Sequence, residues 1–176
     1  MADVRVEVPT LEMQGAFLAM VEELTLYNRS HHDPVVTQDD VDSVLEAVKS
    51  QALRFFHGSD ETCQVLVALH QQRPVGYVLA RVYEEAPEAD NGTGTMGLLD
   101  QIYVRESARG MGVGQRLLAA AMEWFATKGI SRVKLHSYAW NRGAQSLYEK
   151  MGFRPYAISY EAFITESMRG KKEDSR

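Results

Sequence analysis

Apolar residues recur along this chain with two periods, and the changes of period mark out its elements. Val4, Val6 and Val8 alternate with Arg5 and Glu7 before Pro9, the period-two pattern of a half-buried strand. Phe17, Met20, Val21 and Leu24 recur at intervals of three and four, as do Val41, Val44, Leu45 and Val48 behind a candidate N-cap at Thr37 or Asp39. Both spacings predict amphipathic helices, with NRSHHDP as a loop between them. CQVLVALH (63–70) and PVGYVLARVY (74–83) read as strands, and the intervening QQR is hairpin spacing. EEAPEADNGTGT (84–95) is acidic and rich in turn formers, so a long exposed loop is expected before the apolar strand MGLLDQIYV (96–104).

Val113, Leu117, Leu118, Ala121, Met122 and Phe125 form the next helical stripe, with Gly129 as its stop. RVKLHSY (132–138) reads as a strand, and Ala144, Leu147, Tyr148 and Met151 mark a helix that Gly152 ends. YAISYEAFI (156–164) predicts a closing strand. The order β-α-α-β-β-β-α-β-α-β predicts an α/β fold, a mixed and mostly antiparallel central sheet with helices on both faces. No repeat or linker divides the chain. Residues 1–168 therefore read as one domain and the charged 169–176 as a disordered tail.

Composition narrows the class. With 45% hydrophobic and 24% charged residues the chain reads as globular, and no apolar run approaches the roughly 20 residues of a membrane span. MADVRVEVP lacks the pattern of a secretory signal. A single cysteine, Cys63, excludes an internal disulfide and suits a reducing compartment, so a cytoplasmic location is expected. The formal charge of -5 and the lack of a basic stripe argue against nucleic acid and lean toward a cationic partner.

The chemistry concentrates in RGMGVG, Arg109 to Gly114, where three glycines alternate ahead of a helix pattern. A helix N-terminus offers unpaired N–H groups to an anion, and glycine lets the backbone approach it closely. A Walker loop would need Gly-Lys-Ser/Thr, but Gln115 and Arg116 follow Gly114. The G-x-G-x-G spacing, late in the chain, is not the dinucleotide fingerprint either. A tight strand-to-helix turn without a ligand stays open on this loop alone.

Thirty residues on comes NRGAQSLYEKMGF (141–153). Together with IYVRESARGMGVGQRLL (102–118) it resembles the GCN5-related N-acetyltransferase (GNAT) family. The matches are Tyr103-Val104 closing a strand, Arg109/Gly112/Gly114, and Asn141/Ala144/Leu147/Tyr148/Lys150/Gly152/Phe153. They cover residues 98–155; Glu106 departs, where many members carry proline.

The resemblance implies acetyl-CoA as cosubstrate and no metal. It implies that Arg109, Gly110, Met111, Gly112, Val113 and Gly114 hold the pyrophosphate, that the pantetheine lies along Ile102, Tyr103 and Val104, and that Asn141, Ala144 and Tyr148 face it from the later helix. It also implies a bulge that parts the strand from its neighbour and frees an N–H for the thioester carbonyl. Tyr148 would be the general acid for the departing thiolate; an apolar helix stripe explains it as well. Asn141 would bond the pantetheine, serve as a helix N-cap, or both.

A primary amine of pKa about 10.4 must lose a proton before it attacks. Asp100 is the candidate base: it shares strand parity with Ile102 and Val104, and an acid inside an apolar strand needs a reason. LLDQIYV also resembles the Leu-Glu-Asp-Phe-Phe-Val of polyamine acetyltransferases, with a shorter Asp that favours an intervening water. A salt-bridged or capping Asp100 is the plain alternative. Glu22, Glu23 and Tyr27 lie where the family admits its acceptor, and a solvated helix face explains them equally. His31-His32 has no third ligand at a telling spacing, and Cys63 reads as a packed strand residue.

The sequence thus predicts an N-acetyltransferase acting on a primary amine of a small cationic molecule, a polyamine, diamine or amino-acid side chain, by direct attack in a ternary complex. Acetylation of an aminoglycoside, or of a protein N-terminus or lysine, and a non-catalytic acetyl-CoA-binding module, are the alternatives. Homodimers are frequent in the family, and nothing in the sequence decides for one.

Overall fold

The computed structural model describes residues 3–34, 37, 39–58, 61–86, 88 and 94–163. Its elements are β1 (Val4–Glu7), α1 (Gln14–Arg29), α2 (Val41–His57), β2 (Cys63–His70), β3 (Arg73–Glu85), β4 (Gly94–Val104), α3 (Val113–Thr127), β5 (Val133–Leu135) and α4 (Arg142–Lys150). The five strands form one sheet in the order β1-β2-β3-β4-β5. The first three pairings are antiparallel and the last, β4 with β5, is parallel.

Period-two alternation in β2 sorts its side chains between two cores. Leu66 and Ala68 join Val113, Leu117, Leu118, Ala121 and Phe125 of α3, whereas Val65, Val67 and Leu69 pack with Phe17, Met20 and Val21 of α1 and Ala52 and Phe56 of α2. Helices therefore cover both faces, as the element order predicts. Gly97 makes one contact possible: a Cβ there would lie 2.7 Å from the Phe125 ring, so only glycine lets α3 seat this ring on β4.

The β2–β3 hairpin is tighter than its sequence spacing suggests. Gln71 and Gln72 take φ of 50° and 64°, the doubly left-handed turn that matches strand twist, and Arg73 already belongs to β3. Arg5 Nη2 donates to Gln72 Oε1 at 2.6 Å and ties β1 to this turn.

Four expectations need correction. The N-cap of α2 is Asp40, whose Oδ2 accepts from Ser43 N at 2.9 Å. Thr37 and Asp39 instead offer backbone carbonyls to Arg29. The 84–95 segment is not loop throughout, because β3 and β4 stay paired to Glu85 opposite Gly94; residues 87 and 89–93 lie outside the description. Strand 132–138 contracts to Val133–Leu135. The closing strand over 156–164 is not formed: 156–163 are irregular, with Tyr156, Ile158 and Tyr160 exposed, and residue 164 lies outside the description. An alternating pattern makes a strand only where a ladder partner exists, and no described strand pairs with this segment. The 169–176 tail is also outside the described residues.

Candidate functional site

The strand-to-helix connection is built for an exposed backbone. A 3-10 turn over Glu106–Ala108 leads from β4 to Arg109, after which Gly110 and Gly112 take φ of 79° and 78°. L side chains rarely adopt that region, so both glycines serve the turn. Gly112 is the N-cap of α3 and no side chain caps the helix; its first internal bond runs from Arg116 N to Gly112 O at 3.1 Å. The opening N–H groups of α3 are thus without an intrahelical acceptor. A groove of about 630 Å³ adjoins them, lined by Gly110, Met111, Gly112, Gln115, Arg116, Ala119 and Met151. Gly114 has a packing role instead: a Cβ there would lie 2.9 Å from Leu147, so glycine lets α4 close onto α3. The Arg109 side chain turns back, donating from Nε to Val104 O at 3.2 Å with its guanidinium 5.2 Å from the Tyr27 ring centroid. What the loop presents to an anion is main chain and helix dipole.

Beside this loop the sheet opens. Among the described residues, pairing of β4 with β5 runs through Gly97–Val133, Leu98–Lys134 and Leu99–Leu135. Past Leu99, the β5 side of β4 has no strand partner among the described residues. Asp100 is the extra residue of a bulge, since Leu99 lies opposite Ala80 and Gln101 opposite Leu79. That bulge overturns the parity expected for Asp100. Ile102 and Val104 pack toward α3, but the Asp100 carboxylate lies 3.5 Å from Nε of Arg81, whose guanidinium sits over Phe55 of α2. Asp100 therefore belongs to the α1/α2 face, with Arg81 as its ion-pair partner. Tyr103 also packs on that face, and Tyr77 beside it donates its hydroxyl to Gln101 Oε1 at 2.8 Å.

Helix α4 brings the remaining motif to the opposite face. Asn141 is its N-cap, accepting at Oδ1 from Ala144 N at 3.1 Å. That leaves the amide nitrogen of Asn141 to donate elsewhere. Ala144, Leu147, Tyr148 and Met151 all pack into the α3 core, the same cluster that holds Leu99, Ile102 and Val104. Tyr148 is buried, its ring edge-on to Phe153, and burial pushes its phenol above the ordinary tyrosine range. At neutral pH it is a protonated donor. Tyr77 is driven up still more by burial and by its neighbours Tyr103 and Asp100. Tyrosines of the unfolded chain ionise near pH 10 while these two resist. Folding stability is accordingly expected to hold below about pH 10 and to fall as pH rises beyond it. Urea midpoints measured across that range check this, and the alkaline loss should shrink in Tyr77→Phe.

The acidic residues of α1 have structural partners. Glu22 pairs with Lys49 of α2, and Glu23 takes Arg105 through both oxygens, at 3.0 and 3.1 Å, tying α1 to the end of β4. Tyr27 joins an aromatic group the sequence reading missed. His31 stacks on Trp140 at 4.2 Å, and Tyr138 lies parallel to the same indole at 5.4 Å. Trp140 directly precedes Asn141, and that adjacency was the available signal. Also missed was Arg81, a charge inside the apolar run PVGYVLARVY and thus the same kind of signal that singled out Asp100. Cys63 is buried in the α1/α2 core. Among the described residues no group of His, Cys, Asp and Glu is arranged to hold a metal, and no helix is long and apolar enough to cross a membrane.

Comparison with known proteins agrees with this geometry. The profile of the acetyltransferase (GNAT) family matches residues 24–153. An N-alpha-acetyltransferase 30 of Schizosaccharomyces pombe is 26% identical over 98 residues, 56% of this chain and 62% of that protein. A thialysine N-epsilon-acetyltransferase of Sus scrofa is 36% identical over 62 residues, 35% of this chain and 36% of that protein. Each match thus spans less than two thirds of the relative's length. A GCN5-related N-acetyltransferase structure from Ralstonia eutropha superposes with a TM-score of 0.69 at 18% identity, over 91% of this chain and 98% of that one. It supports the fold.

Proposed function

This chain belongs to the acetyltransferase (GNAT) family, and from that premise we propose that it transfers an acetyl group from acetyl-CoA to a primary amine of a small molecule, in a ternary complex. The observation that carries the reading is the parting of β4 from β5 after Leu99–Leu135, between an uncapped helix N-terminus and a buried, protonated tyrosine.

The residues present fit an acyl-CoA. Backbone N–H groups of Gly110 to Gly114 suit the pyrophosphate, and a groove of about 630 Å³ adjoins them. The edge of β4 over Ile102 and Tyr103 has no strand partner on its β5 side among the described residues and suits the pantetheine amides; Val104 O already accepts from Arg109, and Asn141, the α4 N-cap, keeps its amide nitrogen for the same group. When bound, acetyl-CoA supplies an acetyl group activated as a thioester.

The chain's own groups then divide the work. A freed N–H of β4 donates to the carbonyl oxygen as charge develops there, which is worth a few kcal/mol in a site that excludes water. The amine nitrogen bonds to the carbonyl carbon, the carbon–sulfur bond breaks, and Tyr148 gives its phenolic proton to the sulfur. Asp100, on the far face of the sheet, receives the amine proton through a water. The carrier thus enters from the α3/α4 face and the acceptor from the α1/α2 face.

The two relatives are named for different nitrogens, an N-alpha and the N-epsilon of thialysine; acetylation at nitrogen is what the names share. Initial rates with acetyl-CoA and a panel of small amines test the proposal. Release of CoA thiol that requires the amine, with intersecting double-reciprocal lines, is expected. Parallel lines, or thiol release indifferent to amine, would contradict direct transfer.

A further inference from the structure

We propose that the acceptor amine also carries an acid group, a carboxylate, which Arg81 receives in a second pocket on the α1/α2 face; the proposal rests on the acetyl-transfer reading. This pocket, about 300 Å³, is lined by Arg81, Tyr83, Leu98, Lys134 and His136. Its size is at the small end of the range for organic ligands. Arg81, Leu98 and Lys134 lie directly across from one another on β3, β4 and β5. The next rung, Leu99–Leu135, is the last before the strands part, and the bulged Asp100 follows it. An acceptor in this pocket would therefore lie one rung from the opening through which its amine must reach the thioester.

Two cations line it, Arg81 and Lys134, each facing one carboxylate, Asp100 and Glu85. Lys134 is nearly buried, its side chain 9% exposed, and Glu85 balances its charge. Arg81 is less completely matched. Its Nε is buried with no hydrogen-bond partner among the described residues, and the Asp100 oxygen at 3.5 Å is an ion-pair contact at the outer limit of hydrogen bonding. The Arg81 side chain is 35% exposed and lines the pocket, so its remaining guanidinium donors are open to an incoming carboxylate in a charge-assisted bond. Exposed His136 stands at the rim as a further donor. The pocket thus selects, among the small amines, those built like a diamino acid.

Lysine and cadaverine form the matching pair of probes: the same amine-bearing chain with and without the carboxylate. For the full-length protein, kcat/KM is expected to favour lysine by about tenfold or more, as one charge-assisted bond permits. Arg81→Gln should erase that preference chiefly through KM for lysine, beyond any effect on cadaverine, and Arg81→Lys should restore part of it. Equal or greater kcat/KM with cadaverine, an equal loss on both amines in Arg81→Gln, or turnover of neither by protein that binds acetyl-CoA would each overturn the proposal. Calorimetry with acetyl-CoA keeps the two readings apart. Binding without lysine preference defeats the acid-group pocket alone, whereas no binding defeats the transferase reading and the pocket with it.

Discussion

Tyr148→Phe is expected to lower amine-dependent turnover by about 10²- to 10⁴-fold, the usual span for loss of a general acid. Acetyl-CoA affinity should change little. The substitution removes one hydroxyl and keeps the ring, so packing against Phe153 and within the α3 core is retained. What is lost is a proton held by burial above the usual phenol range and available in every molecule at neutral pH. The loss should appear in kcat, because the bond to sulfur matters only as the thiolate departs. Steady-state rates together with calorimetric affinity check this. A variant that turns over like the parent would return Tyr148 to a purely structural place in the α4 stripe.

The second large effect is expected at Gly112. Gly112→Asp places a carboxylate at the N-cap of α3, where the pyrophosphate is proposed to sit, and acetyl-CoA affinity should fall by about 100-fold or more; like charges a few ångströms apart repel by several kcal/mol near a protein surface. The fold should survive. A Cβ at Gly112 meets nothing closer than the Gln115 side chain at 3.8 Å, and Asp is among the few residues that tolerate a φ near 78°. Gly112→Asn has the same shape without the charge and should keep much more of the affinity. Titration of both variants, with melting temperatures as a fold control, makes the comparison. Equal losses in the two would mean that backbone shape rather than anion binding sets the role of Gly112.

The turn and cap geometry of the candidate site was legible because it is local. The glycine loop, the N-cap Asn141 and the α4 stripe each follow from short-range rules, and the structure puts them on one face around the end of β4. Asp100 shows where such rules stop. Its side-chain direction depends on an extra residue in β4 opposite β3, and one inserted residue reverses a strand's faces. The partners of Glu22 and Glu23 were equally hidden, since Lys49 and Arg105 arrive from other elements. The closing strand failed for a related reason: alternation in 156–164 states a propensity, and a ladder partner decides whether it is used. Arg81 and Lys134 meet only because β3, β4 and β5 align in register, so no linear reading of the chain brings them together.

The loop and the parted strands are proposed to hold an acyl-CoA. Isothermal titration of the purified protein with acetyl-CoA, and separately with ATP and NADH, tests it most directly. Saturable binding of acetyl-CoA at one site, with ATP and NADH far weaker, is expected. Folded protein that ignores acetyl-CoA, or that binds all three alike, would contradict it and leave RGMGVG as a turn with a general affinity for anions.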